Sequence, residues 1–196
     1  PGATTTASLP TPGLQQLLDQ AGNDGIGFNP ALASVSCPVE RGPAKDGSDS
    51  TRFKVSTTVT ATTIAYLASR PKPTSYPKAT RIAPYELKTF QVRAYLTQYK
   101  TESDGDIHLV LKDSAGHTMI AELPYGSCVP SASRWKSQIA SARAAMTHAY
   151  PVSTSWRYLH RLVDVRGIGM FDPLHGQTGA SASGLELHPV TAIAFR

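Results

Sequence analysis

Alternation of apolar and polar residues along the second half of this 196-residue chain limits its fold more than any other feature. An apolar residue at every second position is typical of a β-strand with one buried face. The pattern occurs in five segments, which Gly, Pro and Asp turns separate. The predicted strands cover residues 90–97, 107–112, 118–123, 162–168 and 184–195. Between the third and the fourth, apolar residues from Trp135 to Met146 lie along one face of a predicted helix, with Ser133 as its N-cap.

The order of these elements, three strands, a helix and two more strands, is typical of a five-stranded OB-type β-barrel. We therefore predict a mainly β protein, and a β-sandwich with one inserted helix is the alternative architecture. Alternation from Phe53 to Val59 predicts an additional strand before the barrel. Residues 51–196 are thus predicted to form a single OB-like domain. Residues 1–50 are rich in Pro, Gly, Thr and Ser, which predicts a mobile or loosely packed N-terminal extension.

The two cysteines, Cys37 and Cys128, stand far apart and lack the close spacing of zinc ligands. Both lie in turn-like sequence, which favours a disulfide over two buried thiols. Such a bond would tie the N-terminal extension to the barrel. The cysteine pair, together with a start at Pro1-Gly2 that resembles a processed N-terminus, predicts a secreted or periplasmic protein. No apolar stretch reaches the roughly 20 residues of a membrane span, so no membrane contact is expected.

Positive charge is concentrated in one part of the chain. The formal net charge is +5, and residues 134–166 hold six Lys and Arg side chains against the single acid Asp164. A basic stripe of this kind indicates a polyanionic partner such as nucleic acid. The alternative is that these side chains only keep a helix face in solution.

The proposed binding face consists of the outward residues of the second and third barrel strands. The turn at Asp104 and the loop over residues 169–183 bracket this face, and a loop of that length usually has a role. We predict a secreted module that binds a polyanion or an oligosaccharide. Its aromatic rings would stack on the ligand, and its basic side chains would bind negative charge. The candidate ligand-binding residues are Arg93, Tyr95, Asp104, His108, Lys112, Phe171 and Gln177. The alternative for the long loop is that its polar side chains only bind its own backbone.

Several motifs resemble those of an uncharacterised family of bacterial secreted domains. They are the segments 104–111 and 118–124, His175-Gly176-Gln177-Thr178-Gly179, and Gly184-Leu185-Glu186-Leu187-His188-Pro189-Val190. The resemblance covers roughly residues 55–195 and implies a common fold, but it brings no activity. The chain departs from the family at residues 180–183, where the family has a Pro-Asn turn.

Two other segments resemble the staphylococcal-nuclease-like family, which also has an OB-fold. Asp104-Gly105-Asp106 and Glu122-Leu123-Pro124-Tyr125 are similar in position to the segments that supply its calcium ligands and general base. The resemblance implies a divergent metal-dependent hydrolase or nuclease, with Asp106, Glu122 and His175 as candidate catalytic residues. Tyr125 stands where the base would be, and the simpler interpretation of Asp104-Gly105 is a hairpin turn.

A second kind of metal site is also predicted. Glu186 and His188 are two residues apart on the fifth strand and therefore share a face, beside the third strand. Together with His117 or Glu122 they suit zinc or copper, whereas oxygen ligands from Asp106 and Glu122 suit calcium. The metal ligands proposed here are Glu186, His188 and His117, and the alternative is that each histidine is a hydrogen-bonded structural residue. The binding module itself requires no cofactor.

The sequence leaves open whether the protein is an enzyme. A Gly-x-Ser-x-Gly motif and a phosphate-binding glycine loop are both missing from it. A third interpretation is a scaffold that contacts another protein through the Pro-rich N-terminal arm.

Overall fold

Six strands dominate the structure, a computed structural model that describes residues 35–196. They are β1 (Val59–Thr62), β2 (Thr89–Thr101), β3 (Ile107–Lys112), β4 (Thr118–Leu123), β5 (Arg157–Phe171) and β6 (Leu185–Phe195). Three α-helices accompany them in this part of the chain: α1 (Gly42–Asp46), α2 (Ile64–Ala68) and α3 (Lys136–Ala149). Short 3-10 helices lie at Arg52–Lys54, Tyr85–Leu87 and Gly126–Cys128. The predicted mainly β class is confirmed.

The strands pair in the order β1-β2-β3-β4-β6-β5, and β5 also pairs with β2. Strands β2 to β6 therefore form a closed ring of pairings. Within this ring the neighbours are antiparallel except for β4 and β6, which are parallel at Ala121 and Leu187. Strand β1 lies outside the ring and runs parallel to the first residues of β2.

Apolar side chains at the alternating positions of these strands form the core. In β2, for example, Val92, Ala94 and Leu96 are at most 3% exposed, and they pack with their counterparts in the other four strands. Burying side chains of this size stabilises the fold by roughly 1.5–3 kcal/mol each. The periodicity of the sequence thus identified the buried face of β2, β3 and β5.

Helix α3 also has the buried face that its spacing predicts, with Ile139, Ala142 and Met146 turned toward the core. Its start differs from the prediction. Trp135 occupies the N-cap position and makes no side-chain capping bond. The hydroxyl of Ser133 instead donates to the carbonyl oxygen of Asp46 in α1, so this serine links two helices.

The additional N-terminal strand is shorter and later than the alternation from Phe53 predicts. Residues 52–54 form a 3-10 turn, Phe53 is 71% exposed, and pairing begins only at Val59. In the parallel register, Val59 lies opposite Thr89, the first residue of β2. Residues before Val59 would therefore face the 3-10 helix at Tyr85–Leu87, which offers no strand edge. An alternating segment without a partner strand does not stay extended.

Residues 35–50, which the sequence assigns to the N-terminal extension, belong to the same compact unit as the ring. The predicted disulfide between Cys37 and Cys128 is confirmed, with the two Cα atoms 5.4 Å apart. Arg41 is 1% exposed, and its guanidinium donates to both carboxylate oxygens of Glu86, at 2.6 and 2.8 Å. Arg81 and Asp49 form a second buried ion pair at 2.8 Å.

Within residues 35–196, none of the helices is long and apolar enough to cross a bilayer.

Candidate functional site

Five titratable side chains from three neighbouring strands and one turn converge on the outer side of the ring. They are Asp106, His108, Glu122, Glu186 and His188, and we call them the His–carboxylate cluster. Three of them, Asp106, His108 and His188, are at most 3% exposed. Buried ionisable groups in such number are rare unless they are paired or bind an ion.

The strand registers explain why these residues meet. Residues opposite each other in paired strands share a face, and His108 of β3 lies opposite Glu122 of β4. Glu186 and His188 are two apart on β6, so they too share a face. Strand β6 pairs with β4 at Leu187, a residue that fills the core, which turns its two neighbours outward. Asp106 stands in the turn immediately before β3.

The loop between β5 and β6 covers the cluster on one side. His108 Nε2 donates to the carbonyl oxygen of Thr178 at 2.9 Å. Gly179 lies so close to β3 that a Cβ atom there would approach Val110 Cγ1 to 2.6 Å, and its φ is +84°. Glycine is therefore the residue that lets this loop lie directly against the strand. The length of the loop indicated a role, and the structure places that loop over the cluster.

Helix α1 covers another side of the cluster. Lys45 Nζ lies 3.7 Å from Asp172 Oδ1, across the gap between α1 and the β5–β6 loop. The side chains of Lys45, Asp172 and Glu122 keep 15%, 12% and 12% of their surface exposed. Solvent therefore reaches the cluster at this edge.

His188 lies at the centre of the cluster and faces hydrogen-bond acceptors on both sides. Its Nδ1 is 3.0 Å from Glu122 Oε2 and 3.1 Å from Glu186 Oε1, and its Nε2 is 3.4 Å from Asp106 Oδ2. Burial alone would lower the pKa of His188, but the three carboxylates outweigh it and hold that pKa well above its ordinary value. In the absence of a metal ion, His188 is therefore an imidazolium.

Glu122 bridges the two histidines of the cluster. Its Oε1 accepts from His108 Nδ1 at 2.9 Å, and its Oε2 lies 3.0 Å from His188 Nδ1. Burial would raise the pKa of Glu122, but hydrogen bonds from the two imidazoles reverse the effect and lower it well below its usual value. The pKa of His108 is raised, because the bond to Glu122 outweighs the opposing effect of burial. Glu122 is thus a carboxylate over the whole physiological range.

Glu186 behaves differently from its neighbour. Burial raises the pKa of Glu186 to about 7, and the negative charge of Glu122 adds to this shift, whereas the hydrogen bond from His188 opposes it. A carboxyl group that is half protonated near neutral pH indicates an excess of acidic groups in a dry environment.

Within residues 35–196, two buried atoms of the cluster have no hydrogen-bond partner. They are Asp106 Oδ2 and His188 Nε2, which face each other at 3.4 Å without the geometry of a hydrogen bond. The other oxygen of Asp106 accepts from the backbone N–H of Tyr125 at 2.7 Å, which fixes the carboxylate. A cavity of about 20 Å³ adjoins Asp106, and its lining includes Lys45 and the disulfide. This volume accommodates a single particle the size of water.

Three residues of the cluster could hold a metal ion. Asp106, Glu122 and His188 each offer one ligand atom, and these atoms all lie within 4.8 Å of one another. Two carboxylate oxygens and one imidazole nitrogen are a ligand set that first-row divalent ions accept. A carboxylate oxygen and a ring nitrogen, both buried and 3.4 Å apart without a hydrogen bond, are the atoms that such an ion would satisfy.

The structure brings together residues that the sequence assigned to three different sites. Asp106 and Glu122 were candidate catalytic residues, His108 was a candidate ligand-binding residue, and Glu186 and His188 were candidate metal ligands. All five are members of the cluster. The local patterns named these residues, but only the pairing of β3, β4 and β6 makes them one site.

Two predicted histidines lie outside the cluster. His175, proposed as catalytic, is 66% exposed and lies 3.8 Å from Asp172. His117, proposed as a metal ligand, is in the β3–β4 hairpin, 47% exposed and paired with Asp113 at 2.9 Å. Neither belongs to the cluster, because the His117 side chain lies on the β3–β4 hairpin and the His175 side chain is turned to solvent from the β5–β6 loop.

The remaining predicted ligand-binding residues are dispersed. Phe171 is 2% exposed in the core, and Gln177 donates to Asp172 and to the carbonyl oxygen of Pro173 within its own loop. Asp104 accepts from the backbone N–H of Asp106 and shapes the turn. Three others lie on the outer side of β2 and β3, away from the cluster, and these are Arg93, Tyr95 and Lys112.

Sequence reasoning missed two side chains that border the cluster. Lys45 lies in a Gly- and Pro-containing stretch with no periodicity, so no local signal pointed to it. Trp156 precedes β5, and its ring meets the His108 ring edge-on, with the centroids 5.4 Å apart. Only the long-range packing of the chain places these residues at the site.

Comparison with known proteins identifies no family for this chain. Neither the family models nor the curated proteins contain a match. Among solved structures, a putative aspartyl-tRNA synthetase from Leishmania major Friedlin is similar over 72% of this chain, with 17% sequence identity and a TM-score of 0.40. The matched region spans 21% of that protein's chain.

Proposed function

We propose that the protein is an extracytoplasmic OB-type domain that holds a divalent metal ion in the His–carboxylate cluster and hydrolyses phosphodiester bonds. The closed ring of pairings from β2 to β6, with α3 between its third and fourth strands, supports the OB-type assignment. The disulfide between Cys37 and Cys128 supports a secreted or periplasmic location, since such bonds persist in oxidising compartments. The resemblance to a family of bacterial secreted domains points in the same direction.

The observation that carries the proposal is the convergence of Asp106, Glu122 and His188 around two unpartnered buried atoms. Zn²⁺ and Mn²⁺ suit this mixed nitrogen and oxygen set better than Ca²⁺, which takes six to eight oxygen ligands. Glu186 would orient the imidazole, because its Oε1 already accepts from His188 Nδ1 and leaves Nε2 as the ligating atom. A ligating imidazole is neutral, so binding of the ion would release the His188 proton.

When bound, a divalent ion supplies Lewis-acid chemistry that polarises a phosphoryl oxygen. The protein supplies the remaining functions from the solvent-exposed edge of the cluster. Lys45 is an ammonium group there, and its charge attracts a phosphate toward the opening beside Glu122. The β5–β6 loop and α1 exclude water from the other sides, which strengthens every electrostatic interaction at the site.

The test combines metal content with hydrolysis, on full-length protein purified without a histidine tag. We expect about one divalent ion per chain by elemental analysis and degradation of plasmid or single-stranded DNA that EDTA stops. The variants Asp106→Asn and His188→Gln should lose both metal and activity. His117→Ala and His175→Ala are matched controls that remove exposed histidines and should keep both.

The possible outcomes separate the two parts of the proposal. Stoichiometric metal without hydrolysis would retain the cation site and refute the hydrolase. Protein that neither retains nor binds Zn²⁺ or Mn²⁺ would refute both, and His188 would then be a structural imidazolium. Loss of metal from the exposed-histidine variants would place the site elsewhere.

A second candidate function, a module that binds a polyanion without cleaving it, is favoured by a different observation. The exposed arginines of β2 and β5 and Arg196, which follows β6, lie on the outer side of the ring. This surface does not depend on the cluster.

A further inference from the structure

The basic stretch of the sequence divides into two groups of arginines with different environments. Arg134 donates to the carbonyl oxygens of Arg52 and Val55, and Arg143 donates to those of Leu123 and Gly105. These two arginines hold the fold together. The three arginines of β5, at positions 157, 161 and 166, are exposed instead. The positive charge that is available to a partner is therefore concentrated on the outside of β5.

Strand pairing extends this charge across one surface. Side chains at directly opposite positions of an antiparallel pair share a face. Arg93 of β2 lies opposite Asp164 of β5, and Tyr95 lies opposite Lys112 of β3 on one side and Leu162 on the other. We call this surface the basic outer face and define it as Arg93, Tyr95, Lys112, His160, Arg166 and Arg196.

Two arginines of this face are held in place by one acid. Arg93 donates to both oxygens of Asp164, at 2.6 and 2.9 Å, and Arg196 donates to Asp164 Oδ2 at 2.6 Å. Their side chains nevertheless stay 64% and 53% exposed. A shared carboxylate thus orients two guanidinium groups at the surface and neutralises only part of their charge. The face as a whole holds four cationic side chains against Asp164.

Aromatic side chains lie among these charges. The rings of Tyr95 and His160 stack, with their centroids 4.1 Å apart and their planes 15° apart. Tyr158, opposite Gln98 in the same pair of strands, is 76% exposed. On the neighbouring strand β6, Ala194 lies opposite Asp164 and Ala192 lies opposite Arg166. These small side chains leave the arginines accessible from that side.

Arginines next to stacked, accessible rings match one class of ligand. Single-stranded nucleic acid offers phosphates to the guanidinium groups and unpaired bases to the rings. A duplex would use the charges alone, because its bases are already stacked on one another. An acidic peptide would likewise have no need of the Tyr95–His160 stack.

We infer that the basic outer face binds single-stranded nucleic acid, with phosphates on Arg93, Arg166 and Arg196 and bases against Tyr95 and His160. This site shares no residue with the His–carboxylate cluster, although both use the outer side of β3, the face through Lys112 and the cluster through His108. The inference therefore stands whether or not the cluster binds metal.

The test is fluorescence anisotropy of a labelled oligothymidine with the full-length protein, in EDTA, over a series of salt concentrations. EDTA keeps any metal-dependent cleavage out of the measurement, so failure here is distinct from failure of the proposed hydrolase. The variant Arg166→Ala removes one phosphate contact and should weaken binding severalfold at low salt. It should also reduce the salt slope, the steepness with which log affinity falls with log salt concentration, by about one. Lys136→Ala is the matched control, because it removes an exposed cation of the same basic stretch on α3 and should change neither quantity.

The stacking role is tested with Tyr95→Ala and with His160→Ala. Tyr95 is half-buried, so its loss could also disturb the fold, whereas the His160 side chain is exposed. Loss of a base contact should weaken binding roughly 5- to 150-fold for Tyr95 and leave the salt slope unchanged. Absence of binding at low salt would overturn the inference. Equal affinity for a duplex, with no effect of either ring variant, would overturn it in favour of binding through charge alone. Equal losses in Arg166→Ala and Lys136→Ala would show that the face has no special part in binding.

Discussion

Arg41 and Arg93 form ion pairs of the same type in opposite environments. The Arg41–Glu86 pair is buried, with 1% and 0% exposure, and Arg41 also donates to the carbonyl oxygen of Phe171 at 2.6 Å. Arg93 pairs with Asp164 at the surface and is 64% exposed. Burial removes water as an alternative partner, so loss of one member leaves the other charge without compensation.

We therefore expect Arg41→Ala to lower the free energy of unfolding by about 3–5 kcal/mol, because Glu86 would remain buried and unpaired. Arg93→Ala should lower it far less, because Asp164 keeps Arg196 and solvent as partners. Chemical denaturation of both variants measures the difference. Similar values for the two would mean that the segment around Arg41 contributes little to the stability of the ring.

Asp164 provides a pH-dependent contribution to stability. The guanidinium groups of Arg93 and Arg196 hold the pKa of this carboxyl well below its usual range. The fold thus favours the charged form, and the resulting stabilisation is present at neutral pH and is lost as the pH falls below about 4. Asp164→Asn should cost about 1 kcal/mol at pH 7 and progressively less in acid. A difference between the two proteins that stayed constant down to about pH 2 would contradict this account, and unfolding curves across the acid range measure it.

At the scale of the elements, the β5–β6 loop depends on its contact with β3. Gly179 and Gly116 both have a positive φ, of +84° and +94°, but only Gly179 lies against another residue, Val110. Gly116→Ala should therefore cost about 1 kcal/mol, from backbone strain alone. Gly179→Ala should cost about 2–4 kcal/mol, because a methyl group there also displaces the loop from the strand.

Thermal unfolding measures the loss of stability in each glycine variant. The difference between the two losses is the contribution of the contact between the loop and β3. Hydrogen exchange adds a local measurement, since displacement of the loop would increase exchange at residues 176–180 in Gly179→Ala and not in Gly116→Ala. Equal effects of the two substitutions would mean that the loop does not rest firmly on β3.

The elements were predictable from the sequence where their signals are local. Each strand of the ring shows its alternation within its own residues, and α3 shows its buried face within a few turns. The segment from Phe53 has the same alternation but no partner, since the register of β1 begins at Val59 opposite the start of β2. Alternation reports which face would be buried, and it cannot report whether a neighbouring strand exists.

At the scale of the whole molecule, the site required information that no local pattern holds. The five residues of the cluster come from separate segments and meet only because β6 inserts between β4 and β5. His117 and His175 have the same chemistry as His188, but their side chains are 47% and 66% exposed and do not join the cluster. Lys45 reaches the cluster because residues 35–50 pack on the ring, and this packing follows from distant partners such as Glu86 and Cys128.

The disulfide is the longest of these constraints, and it joins residues 91 positions apart in the chain. In the chain-entropy model, closing a loop of this size stabilises the folded state by about 4–5 kcal/mol, through its effect on the unfolded chain. The double variant Cys37→Ser/Cys128→Ser should therefore lose an amount of this order in denaturant unfolding, and wild-type protein reduced with dithiothreitol should match it. Because the buried pair of Arg41 and Glu86 holds the same segment independently, we expect hydrogen exchange to rise at residues 37–40 of the variant and to stay unchanged in the ring. A rise that extended to the strands of the cluster would instead show that the bond, and not the packing of Arg41, keeps α1 over the His–carboxylate cluster.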